Sequence, residues 1–202
     1  MTQDILLTSF QTWKPDQMSN SSDDLLQVVA ASYPHLAQLR FLRRLPVHFD
    51  QASQRVIAAI EAHDPDIVLC CGMGELRHAL GLESTAVKDE HVLQSPLPLA
   101  ALRQGLAATE ISHDAGRFVC NRLYYDVLNH LRNTSRPLAL FIHVPKLTPH
   151  NCKAIATDFM QVLDRLRSGQ LSYLLQNQPS ALPAIPVHSG TADIRREAST
   201  AG

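Results

Sequence analysis

Three side chains of this sequence are of the types that together perform nucleophilic catalysis: Cys120, His143 and Glu83. Cys120 stands where a loop containing Gly116 gives way to a stretch of helical periodicity, residues 121–132. The first turn of a helix presents unpaired backbone N–H groups and the positive end of the helix dipole, and both stabilise a thiolate relative to a thiol. The position therefore favours a nucleophilic cysteine, although a lone cysteine is more often a small buried apolar residue.

A base and an acid are available to complete that chemistry. His143 ends an apolar run, residues 138–143, that has the length and composition of a strand. A neutral imidazole there would take the thiol proton and later return a proton to a departing amine. Glu83 would accept a hydrogen bond from the other imidazole nitrogen, as the acid of a triad does. An acid in a polar loop is usually only solvated, so Glu83 is the least specific of the three.

The surrounding chain alternates short apolar runs with longer segments of helical period, which is typical of a parallel sheet covered by helices. Strands are predicted over residues 4–10, 39–45, 67–71 and 138–143, with short extra strands at 85–87 and 107–111. Helices are predicted from a Ser21 or Ser22 cap to Tyr33, over 51–62 behind an Asp50 cap, and over 121–132 and 151–167. The predicted fold class is α/β: a single three-layer α/β/α domain with a mostly parallel twisted sheet flanked by helices.

The domain is predicted to occupy residues 1–169 of the 202 in the chain, a length that suffices for one packed core. The periodicity ends after Gly169. Residues 170–202 combine scattered prolines with many Ser, Ala, Gln and Thr residues, and this composition indicates a mobile C-terminal tail.

The overall composition argues against several classes of partner. Apolar residues make up 45% and charged residues 18% of the chain, with a formal net charge of -1, so the basic excess of a nucleic-acid-binding protein is missing. No run approaches the roughly 20 apolar residues that span a bilayer, and no secretory signal is recognisable, so we expect a cytoplasmic protein without a membrane partner. The four cysteines show no CxxC spacing, and neither a metal nor a cofactor is expected.

Five short motifs follow one another in a fixed order over residues 4–167: Ile5–Phe10, Leu45–Phe49, Asp64–Leu69, Ala115–Asn121 with its Val119-Cys120-Asn121 core, and His143-Val144-Pro145. In this order they resemble the pyroglutamyl peptidase I family, cytosolic cysteine peptidases that remove an N-terminal pyroglutamyl residue. Each motif is short, and their common order carries the resemblance.

The resemblance implies roles for the site residues. Cys120, His143 and Glu83 match the nucleophile, base and acid, with Gly81–Val87 aligned in outline to the family's Pro-Glu-Arg-Val-Ala segment. Phe10 and Trp13 would hold the flat lactam ring of the substrate between two aromatic surfaces. The full set of substrate-binding positions implied in this way is Phe10, Trp13, Asn20, Met73, Arg77 and Val119.

The loops that would bind the substrate depart from the family pattern. Residues 9–15 lack the glycines of the family's Gly-Phe-Glu-Pro-Phe-Gly-Gly loop. Residues 72–77 replace Gly-Gln-Ala-Gly-Gly-Arg and retain only its first glycine and its arginine. Residues 88–101 lack the family's Asp-Ala-Arg-Ile-Pro-Asp-Asn stretch. The expected specificity is therefore less firmly supported than the expected chemistry.

The leading hypothesis is a cysteine-type omega peptidase that removes an N-terminal pyroglutamyl residue from peptides through a thioester intermediate. Two alternatives stay open at this point. One is a cysteine amidase for a different cyclic or blocked N-terminal group, and the other is a non-catalytic homologue that binds a ligand or a partner. Because family members commonly assemble, a homo-oligomer, dimer or tetramer, is a further expectation.

Overall fold

A six-stranded sheet lies at the centre of the molecule in the computed structural model, which describes residues 2–168. The strands in chain order are β1 (Ile5–Phe10), β2 (Leu39–Leu45), β3 (Ile67–Gly74), β4 (Leu80–Glu83), β5 (Thr85–Lys88), β6 (His91–Gln94), β7 (Thr109–Ser112) and β8 (Leu138–Pro145). The order across the large sheet is β2-β1-β3-β8-β4-β7, and β5 and β6 form a separate antiparallel hairpin. The predicted tail, residues 170–202, and its boundary at residue 169 lie outside the described residues.

The sheet is mostly parallel, as predicted. Strands β2, β1, β3 and β8 run in one direction, whereas β4 is antiparallel to β8 and β7 is parallel to β4. The interpretation of Glu83 as an acid in a polar loop is wrong, because Glu83 is the last residue of β4 and is fully buried. The apolar run Leu80-Gly81-Leu82 before it is too short to identify a strand by periodicity.

Helices cover both faces of the sheet. They are α1 (Ser21–Ser32), α2 (Phe49–His63), α3 (Leu99–Arg103), α4 (Val119–Leu131) and α5 (Cys152–Arg167). Helices α1, α3 and α5 share one apolar core with the sheet, and α2 and α4 share the other. The three-layer α/β/α arrangement is therefore confirmed. No helix among residues 2–168 combines the length and the apolar character needed to cross a membrane.

The first two helices begin at residues other than the predicted caps. Asn20, rather than Ser21 or Ser22, caps α1, because its backbone is extended and its side-chain oxygen accepts a hydrogen bond from the Ser22 N–H at 3.1 Å. His48 takes this position in α2 in place of Asp50. All of these residue types except His are common caps, so composition alone does not decide which of several neighbouring candidates has the extended backbone.

An ion pair fastens α1 to the sheet beside the carboxyl end of β1. Arg43 donates from Nε and Nη2 to the two carboxylate oxygens of Asp23, each at 2.8 Å. The Ser9 hydroxyl donates to the same carboxylate at 2.7 Å, and the Phe10 N–H donates to the Ser22 hydroxyl at 3.2 Å. These contacts fix the position of Phe10, the first of the residues expected to contact substrate.

The ion pair makes stability depend on pH. Burial by itself would raise the pKa of Asp23, but hydrogen bonds from Arg43 and Ser9 outweigh burial and hold that pKa below its ordinary value of 3.8. A carboxylate with a depressed folded-state pKa contributes stability above its unfolded pKa, and this contribution is lost as the pH falls through the folded-state pKa.

We expect Asp23→Asn to lower the free energy of unfolding at neutral pH, because Arg43 then loses the one carboxylate with which it makes hydrogen bonds among the described residues. The difference from wild type should shrink as the pH falls below 3.8 and wild-type Asp23 takes up a proton. Urea titrations at a series of pH values measure both effects. Asp24→Asn is the matched control, since Asp24 lies in the same helical turn but accepts a hydrogen bond from Ser19. Equal losses in the two variants would contradict the role of the ion pair.

Candidate active site

Cys120 lies in the first turn of α4, which begins at Val119, two residues before the predicted start. The cap residue, Phe118, has an extended backbone and a side chain that cannot accept a hydrogen bond. The backbone N–H groups of the first turn therefore have no capping side chain. They lie at the end of α4 that borders the cavity described below. This is the local arrangement that the sequence predicts for a nucleophile.

The sulfur of Cys120 lies directly over Gly72 in β3. A methyl group at position 72 would be 2.6 Å from Cys120 Sγ and 2.8 Å from Cζ of Phe141, so no side chain fits there. Gly72 is paired in register with His143 on the neighbouring strand β8. The absence of a side chain on β3 thus lets the helix place its thiol beside the strand that carries the imidazole.

His143 is joined to Glu83 by a hydrogen bond from Nδ1 to Oε1 at 2.7 Å. The pairing of β4 with β8 creates this contact, because Gly81 lies opposite His143 and Glu83, two residues further along, projects from the same face. The Glu83 side chain is 0% exposed and that of His143 is 9% exposed. With Nδ1 bound to the carboxylate, Nε2 is the ring nitrogen left for a proton from another group.

Cys120 and His143 line the same cavity, about 130 Å³ in volume. Among the described residues no hydrogen bond joins the thiol to the imidazole, so the structure links His143 to Glu83 and places Cys120 in the wall of the same cavity. The rings of Phe141 and His143 lie 4.9 Å apart between centroids, and this packing restricts rotation of the imidazole.

Burial raises the pKa of the Cys120 thiol to about 12, and the negative charge of Glu83 and the neighbouring Cys70 add to the rise. The helix start favours the opposite direction and is outweighed, because the thiol packs against the sheet where solvent does not stabilise a thiolate. The resting thiol is therefore protonated at neutral pH, although the start of a helix by itself favours the thiolate. A base must take this proton as the sulfur attacks.

The cavity is lined by most of the residues that the resemblance implies for substrate binding. These are Phe10, Trp13, Asn20, Met73 and Val119. The sequence does not single out the other residues of the wall, which are Val47, Ala115, Gly116 and Phe118, with Cys120 and His143 completing the set. All four lie inside two of the quoted motifs, Leu45–Phe49 and Ala115–Asn121, so motif membership is the signal that would have identified them.

The backbone of the opening loop, residues 9–15, does not require the glycines that the family has there. None of residues 9–15 has a positive φ, so residues other than glycine adopt this conformation without strain. Gln17 braces the loop from within, because its side-chain oxygen accepts from the Trp13 N–H at 3.0 Å and its amide nitrogen approaches the Met73 sulfur at 3.9 Å. Asn20 donates to the Gln11 carbonyl at 3.0 Å, which ties the end of the loop to its beginning.

Arg77 lies away from the cavity. Its guanidinium instead contacts Glu83, with Nη2 2.7 Å from Oε1. No group of three or more His, Cys, Asp or Glu side chains suited to holding a metal ion occurs within residues 2–168.

Comparisons with known proteins point to one family. The model of the pyroglutamyl peptidase family matches residues 94–162, a segment that contains Cys120 and His143. The pyrrolidone-carboxylate peptidase of Vibrio vulnificus strain YJ016 is 30% identical over 169 residues, which cover 71% of this chain and 78% of that protein. The protein of the same name from Clavibacter michiganensis subsp. michiganensis strain NCPPB 382 is 28% identical over 180 residues, covering 76% and 82%.

Solved structures share the fold. The pyroglutamyl peptidase I of Bacillus amyloliquefaciens superimposes with a TM-score of 0.68 at 18% identity, covering 83% of this chain and 97% of that one. The pyrrolidone carboxyl peptidase of Thermococcus litoralis gives a TM-score of 0.70 at 19% identity, covering 92% and 100%.

We expect alkylation of Cys120 by iodoacetamide to be slower at neutral pH than that of glutathione, because only the thiolate reacts and burial raises the thiol pKa to about 12. The rate should rise with pH as the thiolate fraction rises. Timed labelling followed by peptide mass spectrometry measures it in a Cys152→Ser background, which removes the other partly exposed cysteine. The same protein unfolded in urea is the control and should react at an ordinary rate. A folded-state rate at or above that of glutathione would contradict the protonated thiol.

Proposed function

This chain belongs to the pyroglutamyl peptidase family, and on that premise we propose that it is a cysteine-type omega peptidase that removes an N-terminal pyroglutamyl residue from peptides. One observation supports the proposal more than any other. A single cavity is lined by a cysteine in the first turn of a helix and by a histidine that a fully buried glutamate holds at 2.7 Å. Nucleophile, base and orienting acid are the parts that acyl transfer by a thiol requires.

In the first step the sulfur of Cys120 attacks the carbonyl carbon of the pyroglutamyl peptide bond. Because the thiol is protonated at rest, Nε2 of His143 takes its proton as the carbon–sulfur bond forms. The negative charge that develops on the carbonyl oxygen is stabilised by the backbone N–H groups of the first turn of α4, which no side chain caps. Glu83 stabilises the imidazolium through Nδ1.

In the second step the carbon–nitrogen bond breaks, and the imidazolium of His143 gives its proton to the departing amine. The pyroglutamyl group remains on Cys120 as a thioester. A water molecule, deprotonated by the same imidazole, then attacks the thioester carbonyl and releases free pyroglutamate. The proton returns to the sulfur, so thiol and neutral imidazole are both restored.

The cavity wall suits a small neutral ring. Phe10 and Trp13 supply aromatic surface, and Val47 and Val119 supply aliphatic surface. A lactam carries no charge, so apolar walls and a few backbone hydrogen bonds are sufficient to hold it. Asn20 already donates a hydrogen bond to the Gln11 carbonyl, so in this proposal it supports the cavity wall.

Because the loops that would bind substrate differ from the family pattern, two alternatives remain. A cysteine amidase for another cyclic or blocked N-terminal group would use the same Cys120 chemistry, and a non-catalytic homologue would bind a ligand in the same cavity. The expected cytoplasmic location and the homo-oligomer, dimer or tetramer, stay predictions.

We expect Cys120→Ala to abolish release of a fluorescent amine from a pyroglutamyl amide, because the attacking atom is gone. We expect His143→Ala to lower kcat/KM by about 10²–10⁴-fold, the usual contribution of a positioned general base. Cys152→Ala is the matched control: it makes the same substitution at a partly exposed cysteine outside the cavity and should keep wild-type activity. Thermal melting of each variant checks that the fold is intact.

The choice of substrate separates the three candidate functions. A prolyl amide has the same ring size without the lactam carbonyl, and the peptidase should not cleave it. Cleavage of another N-blocked amide in place of the pyroglutamyl amide would support the amidase. Binding without turnover of any such amide would support the non-catalytic homologue, and undiminished turnover in Cys120→Ala would contradict both enzyme proposals.

A further inference from the structure

The side chain of Arg77 extends from the connection between β3 and β4 to the buried acid of the site. Its Nη2 donates to Glu83 Oε1 at 2.7 Å, to the Ser112 hydroxyl at 2.8 Å and to the Asp114 carbonyl at 3.0 Å. The oxygen contacted on Glu83 is the one that also receives Nδ1 of His143 at 2.7 Å. One carboxylate oxygen thus binds the imidazole and the guanidinium together.

Two glycines on different strands leave a groove for this side chain. A methyl group at Gly74 would lie 2.8 Å from Cδ of Arg77, and one at Gly81 would lie 2.9 Å from its Nη1. Neither glycine has a positive φ, so backbone conformation does not require glycine at these positions. The space they leave is occupied by Arg77, and any larger residue at either position would displace it.

The contact between Arg77 and Glu83 matters because Glu83 is buried. The Glu83 side chain is 0% exposed and that of Arg77 is 22% exposed. The second carboxylate oxygen, Oε2, has no hydrogen-bond partner among the described residues. A carboxylate removed from water requires a positive charge or several donors to remain favourable. Arg77 provides a fixed positive charge, whereas the neutral imidazole of a general base provides only an N–H.

We propose that Arg77 is a positioning residue, which fixes the Glu83 carboxylate so that His143 keeps its proton on Nδ1 and presents Nε2 to Cys120. This inference rests on the proposed peptidase function. Without Arg77 the carboxylate would lose its fixed counter-charge, and it would either rotate or take up a proton. Either change weakens its hold on the tautomer and orientation of the imidazole.

A second contact of the Arg77 guanidinium, with Glu110, provides a matched control. Its Nη1 contacts Glu110 at 3.3 Å, and the Glu110 side chain is 52% exposed. An exposed ion pair of this kind contributes little. Glu110→Gln therefore removes a partner of the same arginine and leaves its contact with Glu83 in place.

The test compares Arg77→Met, Arg77→Lys and Glu110→Gln in the full chain. Arg77→Met fills the groove with an uncharged side chain, and we expect kcat for a pyroglutamyl amide to fall by about 10²-fold, as for a general base that has lost its orientation. KM should stay within about threefold, because Arg77 does not line the cavity. Arg77→Lys keeps a charge in the groove but lacks the planar fork, so its loss in kcat should be smaller. Glu110→Gln should stay within about twofold of wild type.

A second readout does not depend on turnover. Proton NMR of the wild type should show a downfield resonance for the Nδ1 proton of His143, assigned by its loss in His143→Ala. The resonance should shift or broaden in Arg77→Met and remain in Glu110→Gln. If no amide is cleaved but the resonance depends on Arg77 in this way, the positioning role stands while the proposed function fails.

Two results would overturn the inference. One is wild-type kcat and an unchanged Nδ1 resonance in both Arg77→Met and Arg77→Lys. The other is a rise in KM with kcat retained, which would indicate that Arg77 binds substrate. If Arg77→Met does not fold, Arg77→Lys decides between the same outcomes, because it preserves the charge on which folding around the buried Glu83 depends.

Discussion

The contact between His143 and the fully buried Glu83 is the constraint on which the arrangement of the site depends. It joins two strands of the central sheet and directs one imidazole nitrogen away from the acid and towards the cavity. A buried carboxylate is unfavourable without partners, so the contacts from His143 and Arg77 both help to stabilise β4 in its place. The contacts that stabilise this edge of the sheet are therefore the same contacts that order the site.

The direction of β4 follows from the length of the connection before it. Strand β3 ends at Gly74 and β4 begins at Leu80, so residues 75–79 must make the turn. A parallel crossover needs about a dozen residues or more, and this connection is too short to return to the other end of the sheet. The chain therefore reverses, which places Glu83 beside His143 and leaves Arg77 in the connection itself, within reach of Glu83.

At Cys120, the proposed nucleophile, two physical effects on the thiol pKa compete. The first turn of α4 favours a thiolate at Cys120, whereas packing over Gly72 removes the solvent that a thiolate needs, and burial prevails. The resulting site holds a neutral thiol and relies on the imidazole to remove its proton during attack. Reactivity in this proposal is thus coupled to substrate, because attack and proton transfer occur together.

Local signals in the sequence were sufficient for the fold class, and they singled out Cys120, His143 and most of the residues that line the cavity. Periodicity and motif order are carried by neighbouring residues, so they can be recognised without coordinates. The burial of Glu83, the protonation of Cys120 and the place of Arg77 were decided only by the tertiary structure. Each depends on residues from separate strands, and the groove for Arg77 exists only when Gly74 and Gly81 come together across the sheet.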